Sequence, residues 1–370
     1  MKIIAKRLLL ILHVLTLVFS LFACGADVQT ESSEAVSEEI EVLTDVIYRF
    51  SDDTSMFKLF GRMPVIKECL VCDFTASGIE FEGKMTGKVV LSLSCDRDTY
   101  FTLYVDGVRQ EERVYVTPET KEIELASFEG EDVHNIRILK QTEAQWSLCV
   151  LNELKITGKL SAAPENKEYF IEFIGDSITT GYGNLGDSTS VQPGTAIWQD
   201  GTRAYAFMTA EALSADCSII GCSGIGIDKG WTKFSEKDFY PKASYYRDAN
   251  GADHDFARVP DLVIINLGTN DQDCGSLMTE FVNGVKDLIN TVRISYGKDM
   301  PIVWVYNMVN IGRFDWTRRA LSELGGEDAG LYFVQLDQNR EGGNTHPSVA
   351  GQELAAEKLV KFIKDKCILE

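Results

Sequence analysis

Histidine is scarce in this chain, with four among 370 residues. There is no HExxH pair and no P-loop, so the common zinc-hydrolase and nucleotide-phosphate chemistries have nothing to build on. Basic residues are also short, 36 against 56 acidic, for a net charge of −20. A chain this anionic is a poor match for nucleic acid. Nine cysteines are too few for a disulfide-stapled scaffold of this length. Cys69-Leu70-Val71-Cys72 has metal-type spacing, but no second CxxC or histidine pair completes four ligands. No metal and no cofactor are expected.

No apolar run is long enough to span a bilayer. The N-terminal run Leu8–Leu21 falls short of the ~20 residues a spanning helix needs. Preceded by Lys2, Lys6 and Arg7, it has instead the form of an export signal. Its end, Leu21-Phe22-Ala23-Cys24-Gly25, resembles a bacterial lipobox with Cys24 as the acylated residue. The resemblance implies a signal peptide over 1–24 and a lipoprotein anchored at the cell envelope, with plain secretion as the alternative. Residues 25–44 are acidic and serine-containing, as a flexible tether would be.

What is present falls into two regions. From 45 to 160 the apolar pattern has period two: Lys88–Ser94 and Tyr100–Val105 alternate, and Asp106-Gly107 closes a hairpin into Val108–Val116. Ile123–Leu125, Ile136–Leu139 and Leu148–Ile156 are further strands. Many short strands without helical periods predict a β-sandwich, jelly-roll-like. A small, polar linker follows over 161–167. From 168 to 370 strands alternate with helices. Tyr169–Gly175, Ser218–Gly221, Asp261–Leu267, Pro301–Tyr306 and Leu331–Leu336 are the strands. Arg203–Leu213, Phe281–Ile294, Asp315–Leu324 and a last helix from Pro347 lie between and after them. The class is α/β, with a doubly wound parallel sheet.

Four short segments sit at or just beyond strand ends: Gly175-Asp176-Ser177, Ser223-Gly224, Gly268-Thr269-Asn270-Asp271 and His346-Pro347. Strand ends are where open α/β sheets place their ligands. Serine and histidine can make a nucleophile and its base. Glycine allows close backbone approach, and asparagine supplies an uncharged donor for a transient oxyanion. Of the remaining histidines, His134 is read as structural and His254 as a solvated loop residue. Gly181–Gly186 matches GxGxxG, but Gly175-Asp176-Ser177 intervenes where the dinucleotide fingerprint should begin. Thr179 breaks the GxSxG elbow of α/β-hydrolases.

In order and spacing the four segments resemble the blocks of the SGNH (GDSL-like) hydrolase superfamily. The resemblance implies Ser177 as nucleophile, His346 as base, and an oxyanion hole from the Ser177 amide, Gly224 and Asn270. With a β-sandwich in front, and with its GDSIT-GYG and INLGTND segments, the chain looks like carbohydrate esterase family 2. Members of that family remove acetyl groups from xylan and related polysaccharides, so an acetylated polysaccharide or oligosaccharide is the implied partner. Tyr182, Trp198, Trp231 and Trp316 are then candidates to stack on sugar faces. SGNH enzymes commonly carry Asp three residues before the histidine; Gly343 stands there, with Asn344 two before. No catalytic acid is assigned. A main-chain carbonyl or the Asn344 side chain is expected to hold the second imidazole nitrogen, with the histidine near its ordinary pKa of ~6.5. The alternatives are an SGNH esterase or lipase for lipid or other small esters, and a glycan-binding lipoprotein that has lost activity.

Overall fold

In the computed structural model, residues 42–245, 251–306, 308–310 and 313–369 are described. Cys24, the signal segment and all but the end of the tether lie outside them. The first described region is an antiparallel sheet of ten strands. They are β1 (Asp45–Arg49), β2 (Lys58–Phe60), β3 (Val65–Ile66), β4 (Cys69–Cys72), β5 (Gly78–Cys95), β6 (Thr99–Val105), β7 (Val108–Arg109), β8 (Val114–Val116), β9 (Glu122–Lys140) and β10 (Cys149–Leu160). Asp106 and Gly107 both have positive φ, 51° and 76°, the mirror-image turn that suits a two-residue hairpin, and Val105 pairs with Val108 across it.

Two sequence expectations change here. Val108–Val116 is not one strand but β7 and β8. Ile123–Leu125 and Ile136–Leu139 are not two strands but the buried ends of β9. Its middle, Glu129–Val133, is exposed, so alternation vanishes there; Val133 and Asp132 still pair with Lys84 and Met85, and pairing resumes at Phe128 opposite Gly87. Irregularities near Met85 and Val89 bend the pair, and one core forms beneath, with Phe57, Phe81, Leu91 and Ile138 at its centre. A disulfide joins Cys95 to Cys149, which face each other on β5 and β10.

The second region is a parallel sheet in the order β12-β11-β13-β14-β15. Its strands are β11 (Tyr169–Gly175), β12 (Ala215–Gly221), β13 (Leu262–Asn266), β14 (Ile302–Tyr306) and β15 (Leu331–Gln335). The helices are α1 (Ser177–Thr180), α2 (Tyr205–Ala212), α3 (Glu236–Phe239), α4 (Thr269–Asp273), α5 (Met278–Tyr296), α6 (Phe314–Glu323) and α7 (Val349–Asp365). Side chains alternate across the strands, so each face needs its own cover. Ile171, Phe173, Ile264 and Val305 pack with residues of α2 and α7. Ile174, Val263, Ile265 and Trp304 pack with α5 and α6. The chain leaves β11 to one side for β12 and to the other for β13, so the crevice at a topological switch point opens between β11 and β13.

The two sheets belong to one compact unit, Leu43–Glu370. Phe60, Ala76, Tyr104 and Leu139 join the same core as Ile171 and Phe173. Beside them two buried ion pairs cross the boundary: Arg62 to Glu172 at 3.0 Å and Lys58 to Asp216 at 2.7 Å.

Candidate active site

β11 must turn abruptly to bring Ser177, itself buried, to the wall of a cleft. At Gly175 a Cβ would come within 2.0 Å of Thr179 Oγ1, so only glycine lets the strand end against the following turn. Asp176 then caps α1, its Oδ1 accepting from the Ile178 amide at 3.0 Å. Ser177 thereby becomes the first residue of α1. Asp176 is fully buried. Burial, helped by the nearby Asp271 charge, pushes its carboxyl up to about 7 although the Ile178 amide opposes the shift.

His346 arrives from the loop after β15. Asn344 and Thr345 take left-handed backbone conformations, φ 52° and 60°, and the Gly342 amide donates back to the His346 carbonyl at 2.8 Å. This tight loop sets His346 Nε2 at 2.8 Å from Ser177 Oγ. The other ring nitrogen, Nδ1, lies 3.0 Å from the Asn344 main-chain carbonyl. A carbonyl only accepts, so Nδ1 carries the proton and Nε2 presents its lone pair to the serine. Burial lowers the imidazole pKa below its ordinary value, with the Asn344 and Gly343 backbone partly opposing. That corrects the expectation of an unperturbed histidine.

No carboxylate takes the carbonyl's place. A Cβ at Gly343 would meet Pro193 Cβ at 2.5 Å, so the position that usually bears Asp has no room for a side chain. Asp337 is engaged by Lys358 at 3.1 Å, and Glu341 lies beside Asn339 at 3.1 Å.

Gly224 follows β12 with φ 81°, and a Cβ there would crowd Trp231 Cβ at 3.0 Å. Asn270 stands in the first turn of α4, 7% exposed. Its Nδ2 donates to the Ile225 carbonyl at 2.8 Å and lies 3.3 Å from Asp176 Oδ2. Next to it, Asp271 accepts from the amides of Ile227, Asp228 and Lys229 at 2.8–2.9 Å, fixing the loop that leads to Trp231. Burial nevertheless raises the Asp271 carboxyl.

Ser177, Gly224, Asn270 and His346 line a cleft of about 690 Å³. Of the aromatic residues singled out in the sequence, Tyr182 and Trp231 line it. The Tyr182 ring lies 4.6 Å from the His346 ring, and Trp231 is 72% exposed. Trp198 and Trp316 do not line it. The Trp198 indole donates to the Val191 carbonyl, and Trp316 packs on Phe281 under the Arg313 guanidinium. His254 is half-buried rather than fully solvated: it packs edge-on against Phe256, and burial pushes its pKa down to about 4. His134 bonds to Asp106 and stacks on Phe128. Sequence reasoning missed the cleft residues that come from the connections of the first sheet, Arg97 between β5 and β6 and Glu143, Gln145 and Trp146 between β9 and β10. They lie far from the four segments in the chain and match no motif. The only sequence signal was a tryptophan beside polar residues in the Gln141–Leu148 connection. Among the described residues no group of three or more His, Cys, Asp or Glu is placed to hold a metal.

Comparison with known proteins locates two family models on the chain. Residues 173–354 match the GDSL-like lipase/acylhydrolase family, and residues 61–164 match the carbohydrate esterase 2 N-terminal family. The cellulase/esterase CelE of Acetivibrio thermocellus is 32% identical over 312 residues, which are 80% of this chain and 37% of that protein. An acetylxylan esterase / glucomannan deacetylase of Cellvibrio japonicus is 27% identical over 155 residues, 40% of this chain and 42% of that one. The chain thus spans under half the length of these two relatives. A solved family two carbohydrate esterase from Clostridium thermocellum, in complex with cellohexaose, is 31% identical with a TM-score of 0.73. That match covers 85% of this chain and all of the other.

Proposed function

The chain belongs to carbohydrate esterase family 2, and from that membership we propose a serine esterase that removes O-acetyl groups from xylan or a related polysaccharide or oligosaccharide. The observation that carries the reading is the 2.8 Å approach of His346 Nε2 to Ser177 Oγ, with Nδ1 against a carbonyl. In that tautomer neutral His346 takes the Ser177 proton as Oγ attacks the acetyl carbonyl. The oxyanion is met by the Ser177 and Gly224 amides and by Asn270, whose long contact with Asp176 is the bond it can exchange for the oxyanion. One such donor is worth ~3 kcal/mol in the transition state. The imidazolium returns its proton to the sugar oxygen as that alcohol leaves. Water, deprotonated by the same nitrogen, then cleaves the acetyl-serine to acetate. The acid-free pair is a Ser177–His346 dyad, with the Asn344 carbonyl as orienter.

Tyr182 and Trp231 offer ring faces for sugar in the same cleft. The export signal and the Cys24 lipobox support a cell-envelope lipoprotein. Acyl length tests the substrate class. Acetyl esters should exceed butyryl esters by at least about tenfold in kcat/KM, because a closed acyl site rejects extra methylenes by overpacking. Rates that hold or rise with chain length would assign the protein to lipid esters instead.

A further inference from the structure

The connection from β9 to β10 reaches out of the first sheet and into the active-site cleft. Lys140, wholly buried, anchors it: Nζ donates to the carbonyls of Asp73 at 2.9 Å, Thr142 at 2.8 Å and Glu143 at 3.2 Å. The Glu143 amide donates to Gln199 Oε1 at 3.1 Å. With its backbone held from both sides, the Glu143 side chain has one course. It is 3% exposed, and its Oε2 accepts from the Ser223 amide at 2.7 Å. Burial raises this carboxyl above its usual range, while the Ser223 amide opposes.

Ser223 immediately precedes Gly224. On the other side, the Gly224 carbonyl accepts from the Trp231 amide at 2.7 Å, and the Ile225 amide donates to the Cys222 carbonyl at 3.2 Å. Both flanks of Gly224 are therefore tied. Among the described residues, the Gly224 amide itself meets no hydrogen-bond acceptor. Gly224 also sits at φ 81°, where nothing in its own side chain restrains the peptide plane. Orientation of that amide must come from its neighbours.

We propose that Glu143 of the first sheet is a positioning residue that aims the Gly224 amide at the oxyanion, making the N-terminal sheet part of the catalytic apparatus. This rests on the esterase reading. A preorganised donor matters only where charge develops, so the effect belongs to kcat. The carboxylate contributes reach and an acceptor oxygen rather than charge, since it bonds one peptide away from the donor.

Full-length wild type, Glu143→Gln, Glu143→Asp, Glu143→Ala and Ser177→Ala are compared for kcat and KM on p-nitrophenyl acetate, with thermal melting to verify folding. Glu143→Asp, one methylene short of Ser223, should lose at least about tenfold in kcat at nearly unchanged KM, part of the 10²–10³ that a whole donor can carry. Glu143→Ala should lose as much or more. Glu143→Gln keeps an oxygen at the same reach and should recover to within about threefold of wild type. If Glu143→Ala fails to fold, the Asp and Gln pair decides the matter. An unchanged kcat in folded Glu143→Asp, a loss confined to KM, or a Gln variant as slow as the Asp variant overturns the proposal alone. Wild type no faster than Ser177→Ala overturns the esterase reading and this proposal together.

Discussion

At the scale of residues, His346 as the proposed base sets the pH dependence to expect. The reactive form is the neutral imidazole, and burial lowers its pKa. It therefore stays neutral to lower pH than an ordinary histidine. The acid limb of kcat/KM should have its midpoint below ~6.5. A midpoint above 7 would mean that a carboxylate stabilises the imidazolium after all, contradicting the dyad. Ser177, Gly224, Asn270 and His346 were legible because each follows a strand end, where even a short motif has a fixed place. The absence of an acid was legible too, as Gly343. Its reason was not: only the packed loop reveals Pro193 filling the space a side chain would need. Tyr182 and Trp231 could not be told from Trp198 and Trp316 by composition, because which aromatic reaches a cleft is decided by tertiary packing.

At the scale of elements, the boundary between the sheets concentrates buried charge. Glu172 lies on β11 and accepts from Arg62 at 3.0 Å, from the Tyr240 hydroxyl at 2.8 Å and from the Tyr296 hydroxyl at 3.1 Å. Arg62 also donates to the carbonyls of Tyr240 and Lys242. Arg62→Met would leave Glu172 buried with two neutral donors and no counter-charge. It should cost ~3–5 kcal/mol of unfolding free energy, as other broken buried pairs do. Urea unfolding of wild type and variant measures this, and a loss under 1 kcal/mol would show that the pair does not hold the sheets together. The parallel sheet was legible because strands buried on both faces read as continuous apolar runs. β9 was not legible as one strand, since its middle is exposed and residues 129–131 fall in the irregularity between the pairs Met85–Asp132 and Gly87–Phe128. The reach of the β9–β10 connection into the cleft was likewise hidden. Arg97 and Trp146 stand against each other there, the guanidinium 5.6 Å from the ring, in contacts with no local signature.

At the scale of the whole molecule, a segment that resembles a lipobox precedes the esterase region, and the proposed anchor is an acyl group on Cys24. On that proposal, Cys24→Ala should prevent acylation and move the chain from the membrane fraction to the soluble one. Continued membrane association of that variant would refute the lipoprotein assignment. The central claim, that this chain deacetylates polysaccharide through Ser177, is tested most directly by acetate release from acetylated xylan by wild type and by a folded Ser177→Ala variant. The expected result is steady release by wild type and a fall of about 10⁶-fold in the variant, the scale seen when a serine nucleophile is removed. Equal release by the two proteins, or none from wild type on acetylated xylan and acetylated glucomannan alike, would contradict it.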